Sequence, residues 1–107
     1  MTAVNFSADV ERNGDTVTVR LGGELDVAVL QRAREVRDEA LEGGTANLVI
    51  DLGAIDFIDS SGLKFLLETD RELRDGPCRL RIRRPGPAAM RVFTVTGADR
   101  HLPFSDV

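Results

Sequence analysis

The period of apolar and polar positions changes several times along the chain, and each change marks an element. From Asn5 to Arg12, Phe6, Ala8 and Val10 alternate with polar neighbours, a period of two that predicts a strand. Asn13-Gly14 follows, and because both residues tolerate positive φ the pair predicts a tight hairpin. Thr16 to Leu21 repeats the alternation through Val17, Val19 and Leu21 as the return strand, which Gly22-Gly23 is expected to break.

Past Asp26 the period lengthens. Val29, Leu30, Ala33, Val36, Ala40 and Leu41 recur at helical spacing, with Arg32, Arg34, Arg37 and Glu39 on the other face. Asp26 is placed to cap this helix, its carboxylate accepting from the first free amides, and Gly43-Gly44 stops it. Asn47 to Leu52 holds the short run Leu48-Val49-Ile50, which reads as a buried central strand. Gly53 to Ile58 is predicted as a loop leading to Asp59-Ser60-Ser61-Gly62. A second helix follows, with Leu63, Leu66, Leu67 and Leu73 on one side, ending near Asp75-Gly76-Pro77.

Cys78, Leu80 and Ile82 then alternate with Arg79, Arg81 and Arg83, a strand with one wet face. Pro87 suits the first turn of a third helix and Gly97 its C-terminal cap, with Ala89, Val92, Phe93 and Thr96 as the inner stripe. The tail Leu102-Pro103-Phe104 is expected to be irregular or a short strand. The order predicts an α/β fold: one open mixed sheet of about four to five strands, an antiparallel opening pair and then parallel strands, with about three to four helices.

Composition narrows what such a domain does. The chain of 107 residues fits a single domain over residues 1–107. Its apolar share of 42% and charged share of 30% argue against disorder. No apolar run is long enough to cross a membrane. Met1-Thr2-Ala3-Val4-Asn5 lacks a basic cluster followed by an apolar core, so a cytoplasmic protein is expected. A net charge of -4 and the absence of Trp and Tyr disfavour nucleic acid as a partner. Arg79, Arg81, Arg83, Arg84 and Arg91 are clustered, but solvated strand and helix edges are the preferred reading. The single cysteine, Cys78, excludes an internal disulfide and reads as a packed thiol. Nothing in the sequence requires more than a monomer.

The segment Asp59-Ser60-Ser61-Gly62-Leu63 carries the chemistry. A helix start presents unpaired amides and partial positive charge, so these residues can cap, and a serine there is also placed to hold a phosphate once one is added. Spacing alone leaves cap and phosphoacceptor open, and the two are not exclusive. A nucleophilic serine needs a base and an oxyanion hole, whereas the local sequence is not Gly-x-Ser-x-Gly and His101 is the one histidine, late in the chain. A Walker-type phosphate loop is absent, and Lys64 is the one lysine. Asp51, Asp56 and Asp59 read as caps and turn residues ahead of a metal site. A response-regulator receiver would want an acid pair after the first strand and a lysine after the last, and the chain has neither. No enzyme, cofactor or metal is expected.

Four segments in order resemble the anti-sigma-factor antagonist family, the STAS domain. They are Gly23-Glu24-Leu25-Asp26, Val49-Ile50-Asp51-Leu52, Phe57-Ile58-Asp59-Ser60-Ser61-Gly62-Leu63 and Gly97-Ala98-Asp99-Arg100-His101-Leu102. The resemblance implies a mixed STAS-like sheet packed with helices. It implies partner switching: the unphosphorylated protein binds an anti-sigma factor, which is also a serine kinase, and frees the sigma factor, and a PP2C-type phosphatase reverses the modification. Carried across, the phosphoacceptor is Ser60. Asp26 and Asp59 flank the acceptor surface, and Ser61, Gly62 and Leu63 complete the partner-binding set. Gly62 is expected to give a partner close backbone access, and Leu63 is read first as core, because it starts the apolar stripe. The competing reading is a scaffold or transport-associated STAS domain without kinase control, but members of that kind often carry Thr or a non-phosphorylatable residue at the acceptor position. The chain ends at Val107, soon after the third helix, where members often carry further structure.

Overall fold

The computed structural model describes residues 5–105. The two opening runs form β1 (Phe6–Asn13) and β2 (Thr16–Leu25), paired antiparallel across a turn in which Gly14 takes φ 65°. A 3-10 turn at Val27–Val29 leads into α1 (Leu30–Leu41), so Asp26 caps that turn and not the α-helix directly. Then come β3 (Asn47–Ile58), α2 (Ser60–Leu73), β4 (Arg79–Arg83), α3 (Pro87–Thr96), a 3-10 turn at Ala98–Arg100, and β5 (Phe104–Ser105). The expected mixed architecture is thus present, and the tail resolves as a short fifth strand.

The five strands lie in the order β1-β2-β3-β4-β5, and every pair after the first is parallel. Each parallel connection steps one strand in the same direction. Right-handed crossovers therefore put all three helices on one face. Burial follows: Val17, Val19, Leu21, Leu48, Ile50, Leu52, Leu80 and Ile82 face the helices and are buried. Phe65 and Phe93 fill the space above them, and Phe93 meets Phe104 edge-on with centroids 5.1 Å apart.

The other sheet face is uncovered, which parallel strands seldom allow. It is lined by polar side chains. The register aligns Asp9, Arg20, Asp51 and Arg83 across four strands. Arg20 reaches Glu11 at 2.9 Å and Asp51 at 3.8 Å, and Arg83 reaches Asp51 at 3.5 Å. The arginine-rich stretch is therefore the wet face of β4, while Arg84 stacks over the Phe104 ring at 5.5 Å.

Two expectations about the strands fail for one reason. Gly22-Gly23 does not end β2, and Gly53 to Ile58 is not a loop, because β2 and β3 run on together to Leu25 and Ile58. Between the pairs Arg20↔Asp51 and Gly22↔Ala54, and again between Gly23↔Ile55 and Glu24↔Phe57, β3 carries one residue more than β2. These bulges break the period of two and twist the pair. Gly23 takes φ 84°, and a Cβ there would lie 2.2 Å from the Asn5 carbonyl oxygen, which accepts from the Glu24 amide at 2.7 Å. The glycines thus bend the strand where a turn was expected.

Two helix assignments also change. Arg37, placed on the solvent face by spacing, is buried between α1 and α2. Its guanidinium donates to the Thr69 hydroxyl at 3.0 Å, pairs with Asp38 at 3.0 Å and Glu68 at 3.5 Å, and lies 5.4 Å from the Phe65 ring centre. Arg34 adds two bonds of 3.1 Å to Glu68. Thr96, expected on the inner stripe, is exposed and bonds back to the Val92 carbonyl at 2.6 Å.

Candidate functional site at the start of helix α2

The bulged ends of β2 and β3 deliver two aspartates side by side. Leu25 and Ile58 form the last pair, and the Asp59 amide donates to the Leu25 carbonyl at 3.3 Å. Asp26 and Asp59 are the next residues on each strand, at the carboxyl edge of the parallel pair, where open α/β sheets place their sites. The Asp26 carboxylate accepts from the Ala28 amide at 3.0 Å. Asp59 Oδ1 accepts from Ser61 at 2.8 Å and Gly62 at 3.1 Å. Both acids are therefore N-caps.

That arrangement decides between the two serines' roles in local structure. Asp59 performs the capping, so Ser60 takes no part in it and sits exposed at the first helical position. Ser61 is half-buried, and its amide is already engaged. The first-turn amides that were expected to receive a phosphate are occupied by the Asp59 carboxylate.

Gly62 is buried, and its space is used by its own chain. A Cβ there would stand 2.6 Å from the Leu25 carbonyl oxygen and 2.7 Å from Ile58 Cγ1. Its missing side chain lets α2 sit down on the strand ends, and the close approach is to Leu25 and Ile58. Leu63 is half-buried: it packs on the core and also lines a groove of about 200 Å³ with Ser60, Lys64, Leu67, Glu68 and Arg71. The Arg34 hydrogen bond holds the Glu68 carboxyl below its usual value, against the opposing effect of its partial desolvation.

Spacing missed two exposed apolar residues close to the site in sequence. Val27 is 70% exposed and Phe57 48% exposed, in the capping turn and on the last strand residues before Asp59. Phe57 was legible only once Asp56-Phe57-Ile58 is read as strand. Asp51 lies elsewhere, its Oδ1 accepting from the Gly53 amide at 2.8 Å and its other oxygen facing Arg20 and Arg83. Among the described residues no group of three His, Cys, Asp or Glu side chains is gathered to hold a metal ion. Among the same residues no helix is long and apolar enough to cross a membrane.

A five-stranded mixed sheet with its helices on one face, and an exposed serine beside a capping aspartate at its carboxyl edge, defines a small α/β domain. A family model described as "Mlab, STAS domain" matches residues 8–103, and the chain belongs to the STAS domain family. The anti-sigma F factor antagonist of Lysinibacillus sphaericus is 34% identical over 84 residues, covering 78% of this chain and 72% of that one. An anti-sigma factor antagonist from Mycobacterium paratuberculosis superposes with TM-score 0.86 at 27% identity, covering 100% of this chain and 92% of that one. The antagonist SpoIIAA in its unphosphorylated form superposes with TM-score 0.75 at 27% identity, covering 92% of this chain and 88% of the other, and a phosphorylated form from Bacillus also matches.

Proposed function

We propose that this protein is a cytoplasmic anti-sigma-factor antagonist that switches partners through Ser60. Unphosphorylated, it binds an anti-sigma serine kinase, and the sigma factor is released. The kinase transfers the γ-phosphoryl group of ATP to Ser60 Oγ; the hydroxyl proton is lost and ADP leaves. Binding is then switched off, and a PP2C-type phosphatase hydrolyses the ester to restore the serine.

The observation that carries this reading is the division of labour at Asp59-Ser60: the aspartate caps, and the serine hydroxyl stands free at the surface. Similarity to named anti-sigma factor antagonists supports it, as does the existence of SpoIIAA in two phosphorylation states. A phosphate adds about -1.5 to -2 charge near neutral pH, next to Asp59 and near Asp26. Because no cap or core contact among the described residues uses the Ser60 hydroxyl, that charge acts on binding and leaves the fold intact. Val27, Phe57 and Leu63 supply the apolar part of the docking surface, and Asp26, Asp59, Ser61 and Gly62 shape its centre.

The test is affinity for the cognate kinase. Ser60→Ala should bind as the unmodified protein does, and Ser60→Asp roughly tenfold more weakly or worse, through like-charge repulsion at the interface. Equal affinities would sink the charge switch. Incubation with kinase and ATP followed by mass mapping should place the phosphate on Ser60. Phosphate on Ser61 alone, or on neither serine, refutes the assignment and favours a scaffold domain without kinase control.

A further inference from the structure

The occupied cap raises the question of where a phosphate on Ser60 would go, an inference that rests on the Ser60 reading above. The Ser61 and Gly62 amides are held by Asp59 at 2.8 and 3.1 Å, and the Asp59 carboxylate repels a second anion. The phosphate must therefore turn away from the helix end, toward the groove that Ser60 shares with Leu63, Lys64 and Leu67. The cations of the neighbouring helix α1 are already committed. Arg34 is bonded to Glu68 at 3.1 Å, and Arg37 lies 3.5 Å from the same carboxylate. Arg71 lines the groove, but it is eleven residues along the helix, on the order of 16 Å away along the axis.

Lys64 is different. It stands at i+4 from Ser60, where helical Cβ atoms are about 5–6 Å apart. It is exposed, it borders the same groove, and it forms no ion pair among the described residues. We infer that Lys64 is the positioning residue for phospho-Ser60, its ammonium drawing the phosphate off Asp59 and across the mouth of the Leu63–Leu67 groove. The modification then does two things at once: it places charge beside Asp59 and it closes the apolar groove with an ion pair. The charges that oppose this placement are Asp26 and Asp59 at the strand ends and Glu68 on α2 itself.

The test uses phosphoserine encoded genetically at position 60, so it does not depend on any kinase. The second ionisation of the phosphate, about 6 in an unperturbed phosphoserine, is followed by 31P NMR against pH. Wild-type protein should titrate about 0.15–0.4 pH unit below Lys64→Met, with Lys64→Arg close to wild type and the difference shrinking in high salt. In parallel, the Ser61 and Gly62 amide resonances should stay near their unmodified positions through the titration. Identical midpoints for wild type and Lys64→Met would overturn the inference, and so would large Ser61 and Gly62 shifts that follow the phosphate. Failure of the kinase to modify Ser60 would instead count against the Ser60 reading and leave this titration to stand on its own result.

Discussion

Replacing Gly62 by alanine tests whether the site depends on the close seating of α2. The added Cβ would stand 2.6 Å from the Leu25 carbonyl oxygen, 2.7 Å from Ile58 Cγ1 and 2.9 Å from Leu25 Cγ. Ordinary contact begins at 3.4 Å, so the helix start must lift by several tenths of an ångström. The carbonyl cannot rotate aside, because its strand is paired with β3 and it accepts from the Asp59 amide. Overpacking of a tight site costs about 1–3 kcal/mol, and against backbone the upper end applies. Alanine returns about 1 kcal/mol of helix propensity. The net loss is about 2 kcal/mol, which for a domain of this size lowers Tm by roughly 8–12 °C. Gly76→Ala is the matched control, since its Cβ would meet nothing nearer than 3.8 Å. Thermal unfolding by circular dichroism reads the stability, and kinase binding reads the displacement of Ser60. A Gly62→Ala protein that melts at or above the wild type would refute the close-approach argument.

Three further outcomes follow from other contacts. Arg37→Met should lower the urea-unfolding free energy by about 2–4 kcal/mol, because it strips a buried cation from Thr69 and Glu68, and an unchanged midpoint would show that the cluster is worth no more than surface pairs. The Arg34 hydrogen bond holds Glu68 below the ordinary carboxylate value, so its stabilisation is present above that ordinary value and is lost as pH falls through the lower folded value; Glu68→Gln should therefore flatten the acid limb of stability against pH, and equal slopes would refute the pairing. Burial pushes the Cys78 thiol upward, so an aromatic disulfide reagent at pH 8 should react only as the protein unfolds, and prompt reaction in the native state would contradict the packed-thiol assignment.

What was legible from spacing and what was not divides along physical lines. Strands with a strict period of two, such as Cys78 to Ile82, and helices with one apolar stripe, such as Leu63 to Leu73, were visible because one face alone meets the core. The second halves of β2 and β3 were not, because Leu52, Ile55 and Ile58 are buried three residues apart. That spacing belongs to neither a strand nor a helix stripe, and it arises from the extra residues of β3. Arg37 was hidden differently: a charged residue on a helix is solvent-facing by default, and only the neighbouring Glu68 and Thr69, distant in sequence, make its burial tolerable. At the site the serine and both aspartates were legible as types, while the identity of the cap needed the actual bonds. The exposure of Val27 and Phe57 could not be read from spacing, since a lone exposed apolar residue carries no period.

The bonds around α2 also distinguish the hydroxyl proposed for reversible modification from another on the same helix. Thr69 is fully buried; its hydroxyl donates to the Phe65 carbonyl at 2.9 Å and accepts from Arg37 at 3.0 Å. A phosphate there would sever the α1–α2 link and place charge in the core, so modification would require unfolding. Ser60, nine positions earlier, contributes to neither cap nor core. The difference is made by the residue before it: were Asp59 not the cap, the serine would be drawn into capping, and its hydroxyl would be tied to the first-turn amides. Asp59→Ala should therefore do more than weaken the helix start by about 1 kcal/mol. It should recruit Ser60 to the vacated amides and slow its phosphorylation, while Asp59→Asn, which still caps, should leave the rate near that of the wild type. Equal rates for the two variants would show that the cap does not govern access to the serine.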